Sequence, residues 1–383
     1  MSESNILRVG VVGATGLFAP TYLNPAVDLP DLELRAIAAR RPGPLAETAA
    51  AYGMPDTHTD WRDLVARDDL DVVAIVTSNA MHHPVAIAAL ESGKHVLCEK
   101  PLANTAEQCA EMVAAAESSE LGHGLGHYMR FAEPMQTVRR LIDEGEIGEV
   151  QAMFGRIWQP RALHEPVQWW MTEEECPAGS IGLLGVHLLD LARYLTGSEI
   201  TAVMGHLPIV VPERPDMGDI SRVDANRWSA ENPQGVAAGT PMAQVTASDF
   251  GTIHGEMASG ALFTFTAGQT TFTRPGPTPD VQVHGSRASA FVSYSGGNRK
   301  AGQVRLVRGV DPEVVDVPVR VHESPRAQNT AMFREIVIPG LRASAAGEPS
   351  RLASFHDGLA VARAVDAARE SERTRAWVSI QQP

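Results

Sequence analysis

Two kinds of hydrophobic pattern divide the chain. In its first third, short apolar runs alternate with helical segments, which predicts strands at 7–12, 34–39 and 71–77 and helices at 20–27 and 45–52. The run at 71–77 is apolar almost throughout, as is typical of a strand buried on both faces of a parallel sheet. This alternation predicts an α/β unit with a doubly wound parallel sheet, in which ligands bind beyond the carboxyl ends of the strands.

From about residue 150 onward, strand-like runs dominate. They predict strands at 150–158, 200–211, 244–250, 262–272, 281–283, 290–294 and 304–307. One helix is predicted near 183–195, and the Pro-, Gly- and Asn-rich segment 212–241 is predicted to be a long surface loop. We therefore expect an α/β domain at 1–130. A second domain of the α+β class, built on a large, mostly antiparallel open sheet, is expected at 131–383.

A glycine-containing turn follows the first predicted strand. It runs Gly13-Ala14-Thr15-Gly16-Leu17-Phe18 and leads into the helix predicted at 20–27. Glycines there let the backbone approach a pyrophosphate, and free N–H groups at a helix N-terminus bind the anion. Because Thr15 occupies the usual second glycine position, the spacing alone is also compatible with a purely structural turn.

The end of the second predicted strand bears on the choice of cofactor. A carboxylate about 20 residues past the glycines would accept a hydrogen bond from the ribose 2′-hydroxyl of NAD. Here Ala39 occupies that region and is followed by Arg40 and Arg41, whose guanidinium groups suit a phosphate. The sequence thus favours NADP over NAD, with solvated surface arginines as the alternative interpretation.

Composition narrows the classes of partner. The formal net charge is −14 and no block of Lys or Arg occurs, which argues against nucleic acid. No apolar run is long enough to span a membrane, the N-terminus lacks a signal-peptide pattern, and Cys98, Cys109 and Cys176 lack CxxC spacing. We expect a cytoplasmic protein without a membrane partner. His123 and His127 are four residues apart, but glycines between them predict a strand or turn, so no metal site is predicted.

The most specific motif is Gly93-Lys94-His95-Val96-Leu97-Cys98-Glu99-Lys100-Pro101-Leu102. With Thr77-Ser78-Asn79-Ala80-Met81-His82 and Gly126-His127-Tyr128-Met129-Arg130-Phe131, it resembles the glucose–fructose oxidoreductase / inositol dehydrogenase / rhizopine catabolism (Gfo/Idh/MocA) family. Ser78 replaces a proline of the family pattern and His127 replaces an asparagine. The resemblance implies that 1–130 form a Rossmann domain that binds a dinucleotide and that 131–383 serve in substrate binding and oligomerisation. The dinucleotide site is expected to be formed by Gly13, Ala14, Thr15, Gly16, Leu17, Phe18, Ala39, Arg40, Arg41, Thr77, Ser78, Asn79, His82, Glu99, Lys100 and His127.

The resemblance also implies the catalytic residues Lys100 and His187. The segment Gly179–Asp190 is similar to the family's helix with histidine and aspartate, but Leu183 stands where the family has an aspartate one turn before the histidine. Histidine titrates near neutrality, so we expect His187 to be the acid/base and Lys100 to orient and polarise the substrate oxygen. Asp190 is expected to have a structural role on its helix.

By resemblance, the expected function is hydride transfer between NADP or NAD and a hydroxyl or carbonyl carbon of a sugar, glycoside or cyclitol. Lys100, Tyr128, Arg156, Trp158, Trp169 and His187 are expected to bind this small carbohydrate-like substrate. Two alternatives stay open. One is an enzyme that oxidises its substrate transiently during elimination or glycoside cleavage, and the other is a non-catalytic dinucleotide sensor. A homodimer or homotetramer is expected, again by resemblance.

Overall fold

The chain forms two compact units. The computed structural model describes residues 6–53, 56–160, 164–271, 278–293, 302–309 and 313–381. The first unit comprises 1–127 and 323–359, and the second comprises 128–322 and 360–383. The chain therefore returns to the first unit late in the sequence. Phe272 and Tyr294, the last residues of two predicted strands, lie outside the described residues.

The first unit is built on a six-stranded parallel sheet with the order β3-β2-β1-β4-β5-β6. Its strands are β1 (Leu7–Val12), β2 (Leu32–Ala38), β3 (Asp56–His58), β4 (Val72–Ile75), β5 (His95–Cys98) and β6 (His123–Leu125). The helices among them are α1 (Pro20–Asp28), α2 (Pro42–Tyr52), α3 (Trp61–Val65), α4 (Asn79–Glu91) and α5 (Ala106–Ser119). The predicted Rossmann fold is confirmed.

A late segment completes the first unit. It contains α9 (Pro325–Met332), a π-helical turn at Phe333–Val337 and α10 (Ile338–Ala345). Arg326 of α9 donates two hydrogen bonds to the Asp28 carboxylate at the end of α1. Leu125 of β6 donates its N–H to the carbonyl oxygen of Ala353 over 2.8 Å. These contacts join residues more than 200 positions apart, so a local sequence pattern does not predict them.

The second unit contains a nine-stranded sheet with the order β16-β15-β14-β13-β7-β12-β11-β8-β17. Its strands are β7 (Val150–Pro160), β8 (Ile200–His206), β11 (Phe250–Met257), β12 (Leu262–Thr271), β13 (Thr278–Gly285), β14 (Ala288–Ser293), β15 (Gln303–Arg308), β16 (Glu313–Val317) and β17 (Val378–Ser379). Among the described strands of this nine-stranded sheet, only β7 and β12 pair in parallel, so the mostly antiparallel sheet is confirmed.

The two faces of this sheet differ. Met153 and Ile157 point to one face and are almost fully buried, and an added Cβ at Gly155 would lie 3.1 Å from the Leu188 side chain. That face packs on α7 (Val186–Thr196), and α6 (Glu133–Asp143) contributes to the same core. The other face exposes large side chains, among them Phe154, Met204 and Leu262. In the second unit the core therefore lies on one side of the sheet.

Two predicted strands of the second unit are wrong in part, because backbone N–H groups in them donate to partners outside a sheet ladder, as those of Thr246 and Ala247 do to the carbonyl oxygen of Met171. The strand predicted at 200–211 ends at His206, and most of the strand predicted at 244–250 is irregular. The buried Asp249 carboxylate accepts hydrogen bonds from the backbone N–H groups of Val210 and Val211, at 2.7 and 2.9 Å. A side chain thus takes the donors that a sheet ladder would have used.

The segment predicted as a long loop has regular structure. It contains β9 (Glu213–Pro215) and α8 (Arg222–Glu231), and β9 pairs with β10 (Met242–Gln244). Ser221 caps α8 by accepting a hydrogen bond from the N–H of Asp224. Of the residues in α8, only Ala225 is buried, so the hydrophobic pattern gave no helical signal. The Ser-x-x-Asp spacing at 221–224 was the available signal.

The strand β11 was largely missed because glycines occupy two of its inward positions. An added Cβ at Gly255 would lie 2.0 Å from the Phe263 ring, and one at Gly251 would lie 2.6 Å from Ile181. Neighbouring side chains fill these core positions, so the apolar alternation of a strand is absent. The chain's last long helix is α11 (Phe355–Thr374). In the part of the chain that the structure describes, no helix is long and apolar enough to cross a membrane.

Candidate functional site

The parallel sheet brings most of the predicted dinucleotide-site residues to one edge. The glycine turn follows β1, Ala39 to Arg41 follow β2, Thr77 to Asn79 follow β4, and Glu99 and Lys100 follow β5. His127 follows β6. Because all these strands run in the same direction, their carboxyl ends lie along the same edge, where ligands bind in this class of sheet.

Gly13 is required by the backbone geometry of the turn. Its φ is +88°, in the left-handed region that favours glycine. A Cβ added there would lie 2.4 Å from the carbonyl oxygen of Val76, so a side chain would collide with the backbone after β4. The N–H groups of Gly13 and Ala14 both donate to the carbonyl oxygen of Ala38. The turn is thus fixed against both neighbouring strands.

The second half of the turn is open to solvent. Gly16, Leu17 and Phe18 are exposed, and the side chains of Leu17 and Phe18 are about half accessible. A Cβ at Gly16 would lie 3.3 Å from the Gly13 carbonyl oxygen, a tight but tolerable distance. Backbone N–H groups beside a helix N-terminus suit the diphosphate of a dinucleotide. The turn therefore suits the cofactor that the motif predicts.

The two arginines after β2 differ in exposure. Ala39 donates its N–H to the carbonyl oxygen of His58, which ends β3. Arg40 is exposed, whereas Arg41 is half-buried and is the N-cap residue of α2, with Pro42 at the first helical position. Both residues therefore follow β2 at the binding edge of the sheet, and Arg40 is the more exposed of the two.

The segment after β4 begins α4. Thr77 and Ser78 are half-buried, Ser78 is the N-cap residue, and Asn79 is 3% exposed. His82 lies in the first turn of α4 and is 1% exposed. Burial lowers the pKa of His82 to about 4, against the partial compensation of a hydrogen bond to the Pro101 carbonyl oxygen. The His82 ring is therefore neutral near pH 7.

Lys100 is half-buried at the carboxyl end of β5. Its backbone N–H donates to Glu99 Oε2 over 3.2 Å, and Tyr22 Oη donates to Glu99 Oε1 over 3.1 Å. An added Cβ at Gly126 would lie 3.1 Å from Tyr22 Oη, so glycine leaves room for this contact. Glu99, 9% exposed, thus holds the Lys100 backbone from inside the unit.

In the second unit, one buried ion pair joins the segment that contains Tyr128 to the helix that contains His187. Arg130 Nε and Nη2 donate to Asp190 Oδ2 and Oδ1 at 2.7 and 2.5 Å. Arg130 is the third residue of the 3₁₀ turn Tyr128–Phe131, which begins at the half-buried Tyr128. Asp190 lies three residues after the half-buried His187 on α7. The forked geometry fixes both elements relative to each other. The Asp190 carboxylate is thus engaged by Arg130, and its structural role stays a prediction.

The helix that contains His187 begins irregularly. Residues Ile181–Gly185 form a π-helical turn directly before α7, a feature that is frequent at functional sites. Leu183, which stands in place of a family aspartate, is 8% exposed and packs in the core of the second unit. Trp169 is half-buried against the same core and contacts Trp170 edge to face.

Two predicted substrate residues lie elsewhere. Arg156 and Trp158 alternate with Gly155 and Ile157 on β7, so their side chains lie on the sheet face opposite the one that α7 covers. Arg156 forms an ion pair with Asp280, and Trp158 stacks on Phe250 at 5.6 Å between ring centres. The structure does not bring these two side chains together with His187.

Sequence reasoning missed two residues that support the site. Tyr22 is one, since it is the hydrogen-bond donor to Glu99, and the other is Arg130. An arginine that borders apolar positions indicates a buried partner, because a buried charge needs a group to pair with. The pattern does not say which residue that partner is. In the described ranges, no group of three or more His, Cys, Asp or Glu residues is arranged to hold a metal ion.

A Rossmann sheet with this glycine turn and a lysine after β5 defines the class of dinucleotide-binding oxidoreductases. Two family models match the chain. The model described as "Oxidoreductase family, NAD-binding Rossmann fold" matches residues 7–127, and the "GFO/IDH/MocA C-terminal domain" matches residues 135–291. The chain belongs to the Gfo/Idh/MocA oxidoreductase family, as the sequence motifs indicated.

Similar proteins include characterised dehydrogenases. The chain is 34% identical over 198 residues to levoglucosan dehydrogenase of Pseudarthrobacter phenanthrenivorans, covering 51% of this chain and 50% of that protein. The chain spans about half to two thirds of the length of the curated relatives it matches.

Two solved structures extend the similarity over nearly the whole chain. An oxidoreductase domain protein from Kribbella flavida superposes with a TM-score of 0.83 at 25% identity, covering 99% of this chain and 100% of that one. A levoglucosan dehydrogenase in complex with NADH and L-sorbose superposes with a TM-score of 0.82 at 25% identity, covering 98% and 99% of the two chains.

Proposed function

We propose that this protein is an NAD(P)-dependent dehydrogenase or reductase that acts on a CH–OH group of a sugar, glycoside or cyclitol. The observation that carries the proposal is the half-buried Lys100, held at the carboxyl end of β5 on the same sheet edge as the glycine turn. That edge is where the substrate of a dinucleotide enzyme meets its cofactor. Similarity to levoglucosan dehydrogenase supports the substrate class.

The chemistry assigns different tasks to two side chains. A bound nicotinamide dinucleotide supplies the acceptor or donor of the hydride. Oxidation of a secondary alcohol also releases a proton from oxygen, so a base must reach the hydroxyl group. We assign proton transfer to His187 and assign Lys100 to orienting and polarising the substrate oxygen. Because Leu183 offers no carboxylate to His187, the proposed catalytic set consists of Lys100 and His187.

The proposed sugar contacts lie on the α7 side of the second unit. Tyr128 is joined to α7 through Arg130 and Asp190, and Trp169 packs on the core that contains Leu183. Aromatic faces and a phenol hydroxyl suit the apolar faces and hydroxyl edges of a sugar ring. We assign Arg156 and Trp158 to the opposite sheet face rather than to the substrate.

The test combines cofactor binding with turnover. Calorimetry with NAD(H) and NADP(H) would be followed by absorbance of reduced nicotinamide against a panel of aldoses, anhydrosugars, glycosides and inositols. We expect dinucleotide binding and an absorbance change with at least one member. Tight binding without any absorbance change would favour transient oxidation or a non-catalytic sensor, and absence of binding would reject the proposal.

We further propose that the protein prefers NADP. Replacing Arg40 and Arg41 together with Gln is expected to weaken NADP(H) binding by about 10- to 100-fold, the value of one charged hydrogen bond or ion pair to phosphate. The affinity of this variant for NAD(H) should stay within a few-fold of wild type. The control is Arg35→Gln, which replaces a partly exposed arginine of β2 that pairs with Glu33. Its affinities for both cofactors should also stay within a few-fold of wild type. Calorimetry measures all four values, and equal losses for both cofactors would contradict the preference.

We also propose a homo-oligomer that pairs through the open sheet face. Phe154, Leu262 and Met204 on three strands of that face are 46%, 55% and 38% exposed, and apolar side chains exposed on one face are typical of a subunit contact. Phe154→Glu is expected to shift the mass seen by light scattering toward the monomer. Val223→Glu alters an equally exposed residue on α8 and should leave the mass unchanged. A monomeric wild-type protein would reject this proposal.

A further inference from the structure

The backbone that follows Lys100 is held by a buried histidine. His82 Nδ1 lies 2.7 Å from the carbonyl oxygen of Pro101, the residue that follows Lys100. Because a carbonyl oxygen only accepts hydrogen bonds, Nδ1 must carry the proton and donate. At 1% exposure, this bond forms away from water. The next residue is also fixed, since an added Cβ at Gly358 would lie 2.7 Å from the Leu102 side chain.

The backbone that precedes Lys100 is held as well. Glu99 accepts the Lys100 N–H at Oε2 and the Tyr22 hydroxyl at Oε1, and the Glu99 N–H donates to the carbonyl oxygen of Ile75 over 2.9 Å. The backbone of Lys100 therefore has a hydrogen-bonded support on each side.

The state of His82 suits this supporting role. Burial lowers its pKa to about 4, and the nearby positive charge of Lys100 acts in the same direction. A neutral ring with the proton on Nδ1 is a stable donor across the neutral pH range. His82 has been considered above as a cofactor-binding residue, but its protonated ring nitrogen faces the Pro101 carbonyl oxygen.

We propose that His82 is a positioning residue, which holds the Pro101 carbonyl and thereby fixes the Lys100 ammonium group for its part in the reaction. This inference rests on the proposed function of the Lys100 site. His82 acts through the backbone of Lys100 rather than by touching the substrate. Its loss should therefore change kcat more than it changes the affinity for dinucleotide.

Three variants separate positioning from packing. His82→Leu keeps bulk but removes the donor, whereas His82→Asn keeps an N–H donor near the position of Nδ1. His83→Leu is the control, because the neighbouring His83 bonds only to the surface residue Glu111 among the contacts described. We expect kcat to fall by about 10- to 100-fold in His82→Leu, the effect of a small misplacement of a reacting group. His82→Asn should recover most of it, and His83→Leu should match wild type.

A second measurement needs no substrate. The chain has three lysines, Lys94, Lys100 and Lys300, so acetylation by acetic anhydride is readily assigned by mass spectrometry. The buried Lys94 donates to the carbonyl oxygen of Ser92 and serves as the internal reference. We expect the acetylation rate of Lys100, relative to Lys94, to change severalfold in His82→Leu and to return toward wild type in His82→Asn.

The outcomes distinguish the two ideas. If His82→Leu changes the reactivity of Lys100 and His82→Asn restores it, the result supports positioning. This holds even if the wild-type protein turns over no member of the sugar panel. That absence of turnover would count only against the proposed function. If the panel yields a substrate but His82→Leu leaves kcat and Lys100 reactivity unchanged, positioning is overturned. It is equally overturned if His82→Asn loses as much kcat as His82→Leu, since the donor would then not matter.

Discussion

Lys100→Met is expected to lower turnover by about 10²- to 10⁴-fold while dinucleotide affinity stays within a few-fold of wild type, because the variant removes one charged group from the reacting centre. Methionine has a similar length and fits the half-buried position after β5. The backbone hydrogen bonds of Lys100 to Glu99 and of Pro101 to His82 do not involve the ammonium group, so they persist in the variant. Steady-state kinetics and calorimetry measure the two effects separately.

The matched control is Lys94→Met. Lys94 lies just before the start of β5, at the opposite end of the strand from Lys100, and its ammonium group donates to the carbonyl oxygen of Ser92. Loss of that bond should cost stability without touching turnover at the binding edge. Activity of Lys100→Met close to that of wild type would remove Lys100 from the mechanism. A parallel loss of dinucleotide binding would instead make it a cofactor contact.

Local patterns predicted the first unit well, and the reason is visible at β1 and α1. The apolar run Leu7–Val12, the glycines and Pro20 at the first helical position are all short-range signals, and β1 has the predicted bounds. The glycine turn was predicted for the same reason. Gly13 meets its steric requirement within the turn and against one neighbouring strand.

What the sequence did not predict depends on partners far along the chain. A local pattern marks Arg130 and Asp190 as charges within apolar segments, but not that they pair across 60 positions. The Asp249 carboxylate accepts hydrogen bonds from the N–H groups of Val210 and Val211, which lie about 40 positions away in a segment predicted as a strand. Likewise, the segment 323–359 joins the first unit through contacts that only the folded chain makes.

The sheet face on which Arg156 lies also depends on partners far along the chain. Alternation along β7 predicted that Arg156 and Ile157 point to opposite faces, yet it did not say which face α7 would cover. That choice depends on Leu188 and Gly155 meeting across the core. Candidate substrate residues on strands are therefore less certain from sequence than those on the loops beyond strand ends.

The ion pair between Arg130 and Asp190 leads to the second large prediction, which concerns stability. Asp190→Asn is expected to lower the free energy of unfolding of the second unit by about 3–5 kcal/mol, because it leaves a buried guanidinium without its carboxylate. The Arg130 and Asp190 side chains are 7% and 1% exposed, so water cannot replace the lost partner. Five of the six tryptophans lie in the second unit, so denaturation followed by tryptophan fluorescence reports mainly on that unit.

Glu144→Gln is the matched control, since Glu144 pairs with Arg140 at 2.7 Å with both side chains about half exposed. A surface pair of this kind contributes less than about 1 kcal/mol, so the denaturation midpoint should barely move. The double variant Arg130→Met with Asp190→Leu removes both charges and should recover a large part of the loss in stability. Its kcat should nevertheless stay low, because the fork that fixes Tyr128 relative to the His187 helix is gone. Recovery of stability and kcat together would mean that the pair contributes only to folding. Equal midpoints for Asp190→Asn and Glu144→Gln would contradict the predicted contribution to stability.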